Sequence, residues 1–152
     1  MKVRGDYGKV LKHRWKGTEA MSFEELYTRA NGIRNRRELT DYAKAGSVGA
    51  ALLAENGEVY TGVSIATDCG MGFCAEHAAA AAMIAAGESR ILKMVAVGKN
   101  AAVLPPCGRC REFVSQIHLG NMDTEVMVGR DRVLTIGDLL PYDWKLVESD
   151  TI

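Results

Sequence analysis

Proline is scarce in this chain, three residues of 152 against 16 glycines, which excludes a proline-rich linker or a collagen-like repeat. Net charge is missing as well: 19 basic side chains meet 19 acidic ones. A broad grip on DNA or RNA needs clustered positive charge to displace counterions, so nucleic acid is not the expected partner and a small ligand is. No apolar run approaches the roughly 20 residues of a bilayer crossing, and Met1-Lys2-Val3-Arg4-Gly5-Asp6 lacks the apolar stretch of a signal peptide. The reading is therefore a cytoplasmic protein with no membrane contact. No self-similarity at periods of roughly 20 to 50 residues is found. What is present, 47% hydrophobic and 25% charged residues, suits one globular domain over residues 1–152.

Charge is uneven only at the start. Lys2, Arg4, Lys9, Lys12, Arg14 and Lys16 face one acid, Asp6, and residues 1–21 read as a basic arm, either solvated or held against a neighbouring subunit or an anion. Ser22 and Glu25 then have the spacing of a capping box. Phe23, Leu26, Tyr27, Ala30 and Ile33 recur at helical intervals behind it, which predicts a packing helix.

From Ser47 the texture changes. Val48 to Ala54 is apolar, Asn56-Gly57 is a hairpin turn signal, and Val59 to Val63 reads as the returning strand. Eight of the twelve residues from Ala75 to Ala86 are alanine, which predicts a closely packed helix stopped by Gly87. Lys93 to Gly98 and Thr124 to Gly129 read as strands, with Cys110 to His118 helical between them. Leu134 to Ile136 can add a short strand and Gly137 to Leu140 a helical turn. A hairpin followed by strands interleaved with helices gives an α/β fold, a three-layer α/β/α sandwich around a mixed five-stranded sheet.

The four cysteines, at 69, 74, 107 and 110, carry the chemistry. Cys107-Gly108-Arg109-Cys110 sets two thiols so that both can grip one ion at a helix start, and Cys74 offers a third sulfur. Glu76 follows Cys74 by two residues, close enough to act on a metal-held water without being a ligand. Three ligands leave the open corner of a catalytic zinc site, whereas a structural site is closed by four. Cys69 reads as a small buried residue of a glycine-bearing loop rather than a ligand.

Cys74-x-Glu76 followed by Pro106-Cys107-x-x-Cys110 is the three-cysteine form of the signature of zinc-dependent nucleobase deaminases. On these residues the chain resembles the cytidine deaminase superfamily from about Ser47 to Trp144. The resemblance implies hydrolytic deamination of an aminated pyrimidine nucleoside or analogue with release of ammonia. It implies one Zn²⁺ per subunit on Cys74, Cys107 and Cys110, Glu76 as proton shuttle, and a homotetramer. Backbone around Ala75 and Cys107 would contact the base and the attacking water.

Ribonucleoside-specific members of that superfamily usually carry an asparagine and a glutamate, both used to hold ribose, where this chain has Ser64 and Ala66. The blasticidin S deaminase branch resembles it better in Pro106-Cys107-Gly108-Arg109-Cys110-Arg111 and in the tail Leu139-Leu140-Pro141-Tyr142-Asp143-Trp144. Ser64, Phe73, Ala75, Tyr142 and Trp144 are accordingly the candidate substrate contacts. Phe73 could instead pack the helix start, and the two tail aromatics could be packing anchors. Arg109 and His77 are candidates for offsetting thiolate charge beside the metal. Two other readings stay open: a zinc-stabilised, non-catalytic binding module with Cys69 as a fourth ligand, and a polynucleotide cytosine deaminase served by the basic arm.

Overall fold

The computed structural model describes residues 21–146; the basic arm expected over residues 1–21 lies outside them except for Met21. The first helix, α1 (Phe23–Ile33), opens on the anticipated capping box. The Ser22 hydroxyl accepts from the Glu25 amide at 3.2 Å, and the Glu25 carboxylate accepts from the Ser22 amide at 2.9 Å. Strands β1 (Arg37–Thr40), β2 (Ala43–Ala54) and β3 (Val59–Thr67) follow, then α2 (Ala75–Ala85), β4 (Ile91–Val97), α3 (Gly108–Ile117), β5 (Glu125–Gly129), β6 (Arg132–Thr135) and the short α4 (Ile136–Leu139).

The strands form a mixed sheet of six rather than the five expected. The addition is β1, whose four residues are all exposed; it exists because Arg37 and Glu38 pair antiparallel with Ala45 and Lys44 of β2. β3 runs antiparallel along one edge of β2, while the other edge is shared by β1 near its start and β4 from Gly49 onward. β4 and β5 are parallel, joined through α3, and β5 and β6 make an antiparallel hairpin.

Alternation along β2 and β4 separates the two faces of the sheet. Ala50, Leu52 and Ala54 of β2, with Met94 and Ala96 of β4, pack against Ala75, Ala79, Ala80 and Met83 of α2 and Val114 of α3. Ala51, Leu53, Val95 and Val97 point the other way, onto Leu26, Tyr27 and Ala30 of α1. Helices therefore cover both faces, in the three layers expected.

The alanine composition of α2 lets it approach β3 closely. A Cβ on Gly62 would stand 2.3 Å from the Ala79 backbone nitrogen. β2 carries a bulge between Ala45 and Gly49, and the Val48 amide it leaves unpaired donates to the Ser64 hydroxyl of β3 at 3.0 Å. No helix of the described residues is long and apolar enough to cross a membrane.

Candidate metal centre and active site

Two helix starts converge at one end of the sheet. Cys74 is the N-cap of α2, and its carbonyl accepts from the amides of His77 and Ala78. Cys107 is the N-cap of α3, and its carbonyl accepts from Arg111. Each cap sulfur thus sits where a helix presents partial positive charge, which favours thiolate. Pro106 holds the entry to α3: the Arg111 guanidinium donates from Nε to its carbonyl at 2.8 Å and from Nη1 to the Leu139 carbonyl at 3.2 Å.

The sulfurs of Cys74 and Cys107 are 3.6 Å apart and those of Cys107 and Cys110 are 3.5 Å apart. Two sulfurs on one tetrahedral zinc, each about 2.3 Å from the ion, are separated by about 3.8 Å. The spacing fits a shared ion and is far outside a disulfide bond; all four cysteines are free. The ligand atoms of Cys74, His77 and Cys110 also lie mutually within 4.8 Å. His77 is stacked on Phe113 with ring centroids 4.4 Å apart, and its Nδ1 is 3.4 Å from the Cys110 sulfur. That contact suits an N–H donated to a thiolate.

Burial, with the Glu76 charge behind it, pushes the Cys110 thiol well above its ordinary value, and burial also raises Cys74. Burial pushes Cys107 in the same direction but is outweighed by hydrogen bonds from the Cys110 backbone and thiol, so this thiol is lowered. Three sulfurs gathered here without a cation would be costly to ionise together; a divalent cation is the partner their chemistry calls for. Glu76 is only 5% exposed, and burial holds its carboxyl above the usual range, suited to carrying a proton. His77 is lowered by burial first and by the Arg109 charge second, which favours the neutral ring.

Glu76, Cys74, Ala75 and Cys107 line a cavity of about 220 Å³. Its remaining walls are Val48, Ser64, Phe73, Ala96, Leu104 and Pro105. Ser64, Phe73 and Ala75, expected from sequence as substrate contacts, are brought to the site; Phe73 is fixed by a two-way backbone pairing with Ile65 of β3. Tyr142 and Trp144 are not in the lining. Tyr142 is 96% exposed, and Trp144 instead donates from its indole to Glu112 of α3 at 2.8 Å. Arg109 reaches the Gly72 carbonyl at 3.4 Å, tying the loop before Phe73 to α3. Cys69 stands outside the sulfur cluster, and it is exposed rather than buried as expected, because it lies in the surface turn Asp68–Gly70. Val48, Ala96, Leu104 and Pro105 are site residues that sequence does not mark, because an apolar side chain carries no local sign of lining a cavity.

A buried carboxyl beside three convergent sulfurs, with the carboxyl and two of the cysteines lining a mostly apolar cavity in a three-layer α/β/α frame, defines a metal-dependent enzyme. Residues 23–125 match the family described as the cytidine and deoxycytidylate deaminase zinc-binding region. The chain is 37% identical over 97 residues to a cytidine deaminase of Mycobacterium tuberculosis, covering 62% of this chain and 70% of that protein. It is 32% identical over 124 residues to one from Sporosarcina psychrophila, covering 80% and 90%. The crystal structure of the M. tuberculosis cytidine deaminase superposes with a TM-score of 0.68 at 29% identity, over 82% of this chain and 98% of that one. That of the Burkholderia pseudomallei enzyme gives 0.66 at 28%, over 82% and 100%. This chain belongs to the cytidine and deoxycytidylate deaminase family. It is a zinc-dependent hydrolytic deaminase.

Proposed function

We propose that the chain deaminates cytidine or a closely related aminated pyrimidine nucleoside, with Cys74, Cys107 and Cys110 holding the zinc ion and Glu76 moving the protons. The observation that carries this reading is the juxtaposition of the buried Glu76 carboxyl and the sulfur cluster, with Glu76, Cys74 and Cys107 lining one cavity. When bound, the metal supplies Lewis acidity to the attacking water. Glu76 would take one proton from that water as the carbon–oxygen bond forms and give it to the ring nitrogen, then take the second proton from the new hydroxyl and give it to the departing amine. The carbon–nitrogen bond breaks, ammonia leaves, and the ring keeps an oxo group. His77 donates from Nδ1 to the Cys110 sulfur, and Arg109 adds positive charge beside it; both offset thiolate charge.

Phe73, Leu104 and Pro105 offer apolar area to the base, and Ala75 its backbone. A nucleoside analogue of the blasticidin S type is a second candidate, favoured by the run Pro106-Cys107-Gly108-Arg109-Cys110-Arg111. Assembly as a homotetramer is supported by the exposed apolar positions Ala81, Ala82, Ile84 and Ala85 of α2. One deaminase domain and a cytoplasmic site of action, the latter supported by the four free thiols, complete the proposal.

The test is Glu76→Gln assayed with cytidine, 2′-deoxycytidine and blasticidin S by ultraviolet change and ammonia release. Zinc content should match wild type while kcat falls on the order of 10²- to 10⁴-fold. Wild-type turnover in the zinc-loaded variant would reject Glu76 as the proton carrier, and failure of every compound with the wild-type enzyme would reject the substrate class.

A further inference from the structure

Between β4 and α3 the chain makes a tight reversal. The Gly98 amide donates to the Ala102 carbonyl at 2.8 Å, Ala102 to Lys99 at 3.2 Å, and Leu104 to Ala96 at 2.9 Å. Asn100 and Ala101, the two central residues, have φ of 56° and 57°. Left-handed backbone at both centres makes the turn whose twist suits a two-residue hairpin, and that turn normally takes Asn-Gly. Asparagine tolerates the conformation, but alanine brings its Cβ against the following carbonyl. Something outside the turn has to hold Ala101 there.

That restraint comes from α1. The Tyr27 hydroxyl donates to the Ala101 carbonyl at 2.8 Å, across 74 positions of sequence. Its ring is 6% exposed and capped by the Arg130 guanidinium, 3.7 Å from the ring centroid, so the hydroxyl has little freedom to point elsewhere. The returning arm then divides between two sides. Val103 packs on the α1 cluster with Ala101, whereas Leu104 and Pro105 form a wall of the cavity.

We propose that Tyr27 is a positioning residue for the deamination: by holding the Asn100–Ala101 turn in its left-handed form it fixes Leu104 and Pro105 against the substrate. This rests on the cavity being the substrate pocket. Glu76 lines the same cavity but stands on α2, a different element from the hairpin, so the expected effect falls on substrate binding more than on the chemical step.

Tyr27→Phe keeps the buried ring and removes the donor. KM should rise about fivefold, the scale of one hydrogen bond, with kcat within about twofold of wild type. Amide hydrogen exchange should quicken at Gly98, Ala102 and Leu104 while β2 keeps its protection. Adding Ala101→Gly to Tyr27→Phe should restore both KM and protection, because glycine adopts the left-handed conformation without the Cβ penalty. Unchanged KM and protection in Tyr27→Phe, a loss of protection spread evenly over the sheet, or no rescue by Ala101→Gly would each overturn the proposal. Exchange is read without substrate, so absence of wild-type turnover would strike the substrate reading while the coupling of Tyr27 to the turn is still decided.

Discussion

Gly62 is where β3 touches α2, and replacing it with alanine tests whether that contact sets the position of the catalytic helix. A Cβ there would lie 2.3 Å from the Ala79 nitrogen and 2.7 Å from the Ala78 carbonyl carbon, both backbone atoms of α2 that no rotamer change can move. Ordinary contact begins at 3.4 Å, so the helix or the strand must give by 3.4 minus 2.3, or 1.1 Å. Overpacking of this kind costs about 1–3 kcal/mol, and for a domain of this size that lowers Tm by roughly 3–10 °C. The same shift carries Glu76 with α2, and a misplacement of about 1 Å costs on the order of 100-fold in rate. Gly32→Ala is the control: its Cβ meets nothing within 4 Å and its backbone is not left-handed. It should gain about 0.5–1 kcal/mol for a helix position and leave turnover alone. Circular-dichroism melts and initial rates on the zinc-loaded proteins decide the matter. A Gly62→Ala protein that melts with wild type and turns over fully would refute the claim that α2 is seated by this contact.

Two further outcomes follow from the site and the tail. Ser64 is the one hydroxyl side chain in the described cavity lining, and its oxygen already accepts from the Val48 amide; removing sugar hydroxyls from a cytidine series should therefore change kcat/KM by less than about tenfold. A fall on the order of 10⁴-fold, as in sites built to bond a hydroxyl, would contradict this. Glu112 is held below the usual carboxylate range by the Gln116 amide first and the Trp144 indole second. A lowered folded pKa means that its contribution is present above the ordinary glutamate value and lost as pH falls through the folded one. In a Trp15→Phe background, Trp144 emission should thus change on acidification below the ordinary glutamate range, and Glu112→Gln should show the altered emission already at neutral pH. A flat signal until global unfolding would contradict the tail assignment.

The parts of this molecule that were legible in the sequence are those whose physics is local. Ser22 and Glu25 cap α1 because reciprocal capping needs only a three-residue spacing. Gly57 takes the left-handed backbone that the Asn56-Gly57 pair signals. The sulfur cluster was readable because cysteine and glutamate at fixed spacing at helix starts have few other uses. β1 was not readable, since Arg37–Thr40 buries no face and owes its conformation to pairing with β2. The Asn100–Ala101 turn was hidden for the opposite reason: alanine argues against the conformation it adopts, and the Tyr27 hydroxyl that holds it comes from another element. Tyr142 and Trp144 could be named as aromatics near the end of the chain, but only tertiary structure sends the indole to Glu112 rather than to the cavity.

The central claim is that three sulfurs, and not the imidazole of His77, hold the zinc ion, leaving one corner for water. Zinc K-edge X-ray absorption on the purified, zinc-loaded protein tests it most directly. The account predicts three sulfur scatterers at about 2.3 Å and one light atom, without the outer-shell scattering of an imidazole. Two sulfurs with an imidazole, or four sulfurs and no light atom, would contradict it.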